Sequence, residues 1–347
     1  RRPATSSTCS NWPTRDGWKI ALHNYPHRPY HAAVDTVILC HGLGANRYNM
    51  DAPGELSLAR YLHRHGWDVW VLELRGAGHA SKPRLWNRLS YDWNLDDYVY
   101  HDVPAAIRFV REKTRRQQVH WVGHSMGGML AYAFLCTHGN QWAKSIVTIA
   151  SPSMKSVRNP LLDRLLPLQG LLRVINRVPQ SLVARMAAPV VTRIAPKIAE
   201  LVVNPDNMDP KQMRLLARRV IEDIPTGLLR QFISWYEESA MVKHYGFITY
   251  SEGLQQIQAP LYAIAGQADR LTPPEDVRAV VKRVGSTHTR FDAFGRASGC
   301  RHDYGHVDLV LGKYASSEVW PHILDWLEKH RLGQGSTRPS VTSATKA

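Results

Sequence analysis

The residues best suited to covalent chemistry lie in VGHSMGG, positions 122–128, where Gly123, Ser125 and Gly127 satisfy the pattern G-x-S-x-G. A β-rich run from Val119 to Val122 precedes the motif, and a helical pattern begins at Met126. A sharp strand-to-helix turn holds a serine in a strained backbone conformation with its Oγ exposed, and only small flanking residues avoid collisions there. The start of the following helix also offers positive dipole to a developing oxyanion. A glycine-rich helix start without chemistry would share the glycines but has no need of the strand before them. The spacing therefore predicts that Ser125 is a nucleophile that forms a covalent acyl intermediate.

A second element, CHGLGAN at positions 40–46, follows the first long apolar run directly. A His-Gly loop at the C-terminal edge of a sheet is where one oxyanion amide is expected. The backbone N–H of Leu43 is the candidate donor from this loop, and that of Met126 is the other. His41 precedes a glycine that turns it into the fold, so it is read as a loop-shaping residue rather than a base.

Ser125 needs a base and an orienting acid, expected in the chain order Ser, Asp or Glu, His. AGQADRLTPPE, residues 265–275, places Asp269 just after a strand-like run and before a helix. A turn or helix-capping aspartate would look the same. The rival location, ASPSMKS after the run Ser145 to Ile149, contains no carboxylate, which selects Asp269. For the base, DYGHVD at 303–308 offers His306 on a loop before the last helix. His302 competes, but its four-residue spacing from His306 suits a metal only on a helix, and Gly305 argues for a loop. His288 opens a strand. No metal or cofactor site is predicted. LELRGAGHAS, residues 72–81, lacks the complete dinucleotide fingerprint and an acidic ribose partner, and reads as a structural loop.

These residues need a scaffold that brings the ends of several strands together. Apolar runs at Thr36–Cys40, Asp68–Leu72, Val119–Val122, Ser145–Ile149, Leu261–Ala265 and Arg290–Ala293 alternate with helical patterns. The helical patterns lie at Leu56–His65, Tyr98–Lys113, Met126–Thr137, Pro274–Val284 and Ser317–His330. Such alternation predicts an α/β fold, a mostly parallel sheet with helices on both faces. Trp18–Leu22 and His23–Tyr25 are candidates for an antiparallel edge. The rhythm breaks between about Ser153 and Ile257, a helical stretch punctuated by eight prolines from Pro160 to Pro225 and without a clear strand. The expected organisation is a core at 11–152 and 258–332, a helical cap at 153–257, and loose Ser/Thr-rich tails at 1–10 and 333–347.

The chain has 347 residues, 44% of them hydrophobic and 21% charged, enough to bury a core without disulfides or metals. Cys9, Cys40, Cys136 and Cys300 form no CxxC pair, and Cys40 and Cys136 read as free thiols in apolar surroundings. Lys and Arg number 44 against 29 Asp and Glu, a formal charge of +15 that favours anionic surfaces. No helix-turn-helix, zinc-finger or aromatic-interleaved basic patch points to specific nucleic acid. No apolar run approaches the length of a spanning helix. The text begins at Arg1, so a removed signal peptide and a cytoplasmic protein are both compatible with it, and the oligomeric state is open.

Taken together, HGLGAN, GHSMGG, the Asp269 segment and DYGHVDLVLG resemble the α/β-hydrolase superfamily. DYGHVD is similar to its acid/gastric lipase branch, as are WNLDDYVYHDVPAAI (93–107) and TRDGWKIALHNYP (14–26). The resemblance covers residues 14–152 and 258–330 and leaves the cap unmatched. It implies the α/β-hydrolase fold and a triad of Ser125, Asp269 and His306. A serine at the elbow disfavours dehalogenases and epoxide hydrolases, which use a carboxylate there. The expected activity is that of an esterase or lipase, with acyltransferase, C–C hydrolase and peptidase open on the same triad. A non-catalytic protein that docks lipid surfaces is the alternative from another class. The cap run LLDRLLPLQGLLRVI (161–175) interleaves apolar residues with arginines. That pattern suits an acyl pocket or an anionic interface, and it also suits a cap packed on its core with solvated arginines.

Overall fold

Residues 7–25, 35–153, 163, 166–189, 200–243 and 249–331 are described by a computed structural model of the chain. Eight strands form one sheet: β1 (Thr8–Pro13), β2 (Lys19–Tyr25), β3 (Thr36–Cys40), β4 (Asp68–Glu73), β5 (Val119–His124), β6 (Ala143–Ile149), β9 (Leu261–Gly266) and β10 (Thr289–Phe294). Their spatial order is β1-β2-β4-β3-β5-β6-β9-β10. From β4 to β10 all neighbours are parallel, while β2 runs antiparallel to β4 and β1 antiparallel to β2.

Strands β3, β4, β5 and β9 are buried at every position. That is the expected signature of parallel strands covered on both faces. The alternation of side chains decides which layer each residue joins. Ile38, Cys40, Trp70 and Leu72 pack with the Val103–Thr114 and Met126–His138 helices on one face. Val37, Leu39, Val69 and Val71 pack with Leu58, Leu62, Ile323 and Leu327 on the other. The parallel core thus has two apolar layers, and the loops that leave the C-terminal strand ends converge on one edge.

Three expectations are corrected. Part of the stretch read as a loose N-terminal tail is a strand, because β1 pairs with β2 residue for residue from Thr8↔Asn24 to Pro13↔Lys19. Its Ser/Thr content suits an edge position, where alternate side chains face solvent, and Trp12 anchors it on Phe109 with ring centroids 4.8 Å apart. The two short runs expected at 18–25 are one strand, β2. The insertion also contains a two-residue antiparallel pair, β7 (Arg177–Val178) with β8 (Ile224–Pro225).

The pattern expected as one helix at 98–113 opens with a π-helical turn, Tyr98–Asp102, before the α-helix Val103–Thr114. All four cysteines are free, with Cys40 buried and Cys136 half-buried. Among the described residues no helix is long and apolar enough to cross a membrane.

Between β6 and β9 the described insertion is helical, with helices at Gln169–Val174, Gln180–Ala187, Pro210–Leu215 and Thr226–Glu238. Many hydrogen bonds join it to loops of the core, including two between backbone groups at the sheet edge. The N–H of Glu222 donates to the Gly44 carbonyl (2.8 Å), and that of Val307 donates to the Val202 carbonyl (2.9 Å).

Candidate active site

Ser125 sits between the end of β5 and the Met126–His138 helix with φ 52° and ψ −120°. A serine in this region stores roughly 1–3 kcal/mol of backbone strain, which the surroundings must hold. Its N–H donates to the Ile149 carbonyl (2.7 Å), and its carbonyl accepts from the Ser151 hydroxyl (2.8 Å). The glycines of the motif are needed for close approach. A Cβ on Gly123 would collide with the backbone of Gly127 and Gly128, and one on Gly127 with the carbonyls of Cys40 and His41. The G-x-S-x-G spacing therefore builds the turn by letting strand, helix and the 40–41 backbone touch.

Asp269 and His306, some forty residues apart in sequence, meet at the same edge. His306 Nδ1 lies 2.8 Å from Asp269 Oδ2, and both side chains are buried. Asp269 Oδ1 accepts from the N–H groups of Leu271 (2.9 Å) and Thr272 (2.8 Å). Its Oδ2 also accepts from the Thr272 hydroxyl (2.6 Å), which lies 3.2 Å from His306 Nδ1. With four donors around it the carboxylate is fixed. It selects the tautomer with the proton on Nδ1, which leaves Nε2 as the basic nitrogen.

His124 links the Ser125 turn to the His306 loop. Its Nε2 lies 3.0 Å from the His306 carbonyl oxygen, its Nδ1 3.0 Å from Asn49 Oδ1, and the two imidazole rings are 4.9 Å apart. Burial, and then the proximity of His306, push its pKa down to about 3, so the ring is neutral near pH 7. His41 is buried and shapes its loop as expected. Its Nε2 accepts from the Leu74 N–H (3.3 Å), which leaves Nδ1–H to donate to the Gly42 carbonyl (2.8 Å). The N–H of Leu43 makes no hydrogen bond among the described residues. That of Met126 opens a helix, where the first N–H groups have no intrahelical acceptor.

The competing histidines lie elsewhere. His302 stacks on Tyr314, with ring centroids 5.8 Å apart. The His288 carbonyl accepts from the N–H of Leu261 at the start of β9, which is the opposite end of the sheet from Ser125. Sequence reasoning missed Thr272, Ser151 and Asn49. Of these only Thr272 leaves a readable signal, the D-x-x-T spacing in which an aspartate closes a turn on the third residue after it.

Among the described residues two groups hold possible metal-ligand atoms within 4.8 Å of one another, Asp16 with Asp97 and His101 and, more deeply buried, His23 with Glu73 and His79. The second group is the one next to the 40–46 loop. Hydrogen bonding accounts for it. Glu73 Oε2 accepts from His23 (2.8 Å) and the His79 N–H (2.8 Å), and Oε1 from the Arg47 N–H (3.2 Å). The Arg47 guanidinium lies 3.3 Å from His23 Nδ1, a positive charge that opposes a cation at this place.

The family model for the alpha/beta hydrolase fold matches residues 35–298. Lipase member K of Homo sapiens is 23% identical, over 91% of this chain and 86% of that protein. The tear acid lipase-like protein of Mesocricetus auratus is 32% identical over a shorter stretch, 36% of this chain and 33% of that protein. Among solved structures, a putative lipase from Sulfolobus solfataricus superposes with a TM-score of 0.62 at 15% identity, covering 95% of this chain and 100% of that one. With the parallel sheet, the strained serine after β5 and a family match over most of its length, the chain belongs to the α/β hydrolase fold family.

Proposed function

We propose that the protein is a serine hydrolase that cleaves carboxylic esters through an acyl-enzyme. The observation that carries this reading is the His306–Asp269 hydrogen bond at the edge where an elbow serine is held at positive φ. In the proposed cycle, His306 Nε2 takes the proton of Ser125 Oγ as the oxygen attacks the acyl carbon. The oxyanion is held by the N–H groups of Leu43 and Met126. Collapse expels the alcohol, which receives the proton from His306. Water, activated by the same imidazole, then attacks the acyl-enzyme, and the acid leaves with Ser125 regenerated. Asp269 stays ionised and stabilises the imidazolium at each step.

The relatives' names support an ester substrate, and those that carry the word lipase support a lipid one. The insertion between β6 and β9 is the proposed cap. Its helices leave Leu171, Val174, Leu182, Val183 and Met186 exposed, five of the eight large exposed apolar side chains among the described residues. Arg173, Arg177 and Arg185 are interspersed with them, an arrangement suited to an anionic lipid surface. Arg164, the other arginine of the 161–175 run, lies outside the described residues.

Labelling with a fluorophosphonate, followed by peptide mapping, tests the proposal. Modification of Ser125 alone is expected, and a protein that hydrolyses p-nitrophenyl esters yet is labelled elsewhere would refute it.

A further inference from the structure

The loop that carries the proposed oxyanion donor is pinned on both sides of Leu43. On one side the Gly42 N–H donates to Asn49 Oδ1 (3.1 Å). On the other the Gly44 carbonyl accepts from the N–H of Glu222 in the insertion (2.8 Å). The Glu222 side chain is buried and gathers three segments. Its Oε1 accepts from Asn46 Nδ2 (2.9 Å) and the Gly78 N–H (3.1 Å), and its Oε2 pairs with Lys82 Nζ (2.8 Å). Its own carbonyl accepts from Gln180 Nε2 (2.8 Å), and Asn46 Nδ2 also reaches the Arg219 carbonyl (2.7 Å). Gly44 has φ +59°, and a Cβ there would collide with Gln180 Nε2 and the Ile224 side chain. The loop is thus clamped between the insertion and the loop after β4, with one carboxylate at the junction.

We propose that Glu222 is a positioning residue for the reaction, fixing the backbone of residues 42–46 so that the Leu43 N–H points at the oxyanion. The inference rests on the reading of Leu43 as oxyanion donor given above. Oxyanion donors act because they are oriented before charge develops, and they are felt in the transition state more than in substrate binding. Glu222→Ala strips Asn46, Gly78 and Lys82 of their shared partner. Glu222→Gln keeps an oxygen for Asn46 and Gly78 and loses the charge pair with Lys82.

The test uses the full chain with p-nitrophenyl butyrate, a trifluoromethyl ketone that forms a tetrahedral adduct, and fluorophosphonate titration of active sites. Per titrated site, kcat of Glu222→Ala is expected to fall about 10- to 100-fold, the range of a small displacement at a reacting centre. KM is expected to stay within about twofold, and affinity for the ketone to fall in parallel with kcat. Glu222→Gln is expected to recover most of both. A Glu222→Ala variant with unchanged kcat per site would overturn the proposal, as would an equal loss in KM and kcat or an equal loss in both variants. If Ser125→Ala stays active, the reading of the whole site fails. If Ser125→Ala is inert and Glu222→Ala is normal, only the role of Glu222 fails.

Discussion

His306 reaches Asp269 across the sheet edge with Nδ1 2.8 Å from Oδ2, and the Thr272 hydroxyl bonds the same carboxylate oxygen from its own loop at 2.6 Å. The carboxylate is therefore held on one side by its own turn and on the other by the imidazole. Asp269→Asn keeps the shape but replaces a carboxylate oxygen with a neutral amide that favours the wrong tautomer. We expect kcat to fall on the order of 10⁴-fold with the fold intact. His306→Ala should cost a similar factor, whereas His302→Ala, whose ring stacks on Tyr314, should retain most activity. Initial rates on a soluble p-nitrophenyl ester, with thermal melts of each variant, decide it. An essential His302 would reverse the assignment.

Ser125→Ala should abolish fluorophosphonate labelling and lower kcat on the order of 10³-fold or more. The variant should melt no lower than the parent, since the Ser125 hydroxyl makes no hydrogen bond among the described residues. The bonds that hold the turn involve its backbone N–H and carbonyl, which alanine retains. Residual turnover at the parental rate would remove Ser125 from the mechanism.

Glu73 gives a pH signature away from the site. Burial pushes its pKa up, but the hydrogen bond and charge of His23 and the N–H groups of His79 and Arg47 outweigh it and hold the carboxyl at about 2, against 4.5 for a free side chain. A depressed carboxyl stabilises the fold above its unfolded pKa, and that contribution is lost as pH falls through the folded value. Glu73→Gln should therefore be less stable than the parent near pH 7, by up to about 3 kcal/mol from the shift alone. The gap should narrow between about pH 4.5 and 2. Urea midpoints at neutral and acid pH measure it, and a gap that stays constant with pH would show that Glu73 acts through packing alone.

Much of the site is legible in the sequence because its parts obey local rules. The elbow is a steric solution written in Gly123, Ser125 and Gly127, and Asp269 was selected because the rival loop after β6 has no carboxylate. The fold was legible for a related reason, since strands buried on both faces, such as β3 and β9, must be apolar without interruption. What stayed hidden depends on long-range pairing. β1 is a strand only because β2 offers it a partner, and its Ser, Thr and Asn residues carry no strand pattern of their own. Ser151 and the carboxylate of Glu222, the proposed positioning residue, bond to groups that distant segments bring to them, so nothing in their immediate sequence marks them.

The last prediction concerns the insertion. If its apolar residues line an acyl pocket, turnover of p-nitrophenyl esters should rise with chain length and peak near about C6 to C10, because each buried CH₂ contributes roughly 0.8 kcal/mol until the pocket is full. The exposed set Leu171, Val174, Leu182, Val183 and Met186 calls for a separate test, since side chains that face solvent serve a surface better than a pocket. Arg173, Arg177 and Arg230 line a cleft of about 510 Å³ beside Val174, and Arg177 is already paired with Asp223 (3.3 Å) and set over Tyr91. That leaves Arg173 and Arg230 as the stronger candidates for meeting an anionic headgroup. Activity on vesicles containing phosphatidylglycerol should fall as salt is added, because charge attraction is screened over about 10 Å at 0.1 M. Turnover of a soluble neutral ester in the same buffers should change little, which separates docking from chemistry. Replacing Arg173 and Arg230 together by Gln should flatten the salt dependence on vesicles and leave the soluble assay near its parental rate. A strict preference for acetyl esters, with the same salt response on dispersed and soluble substrates, would leave a small-ester carboxylesterase and assign the arginines to solvation.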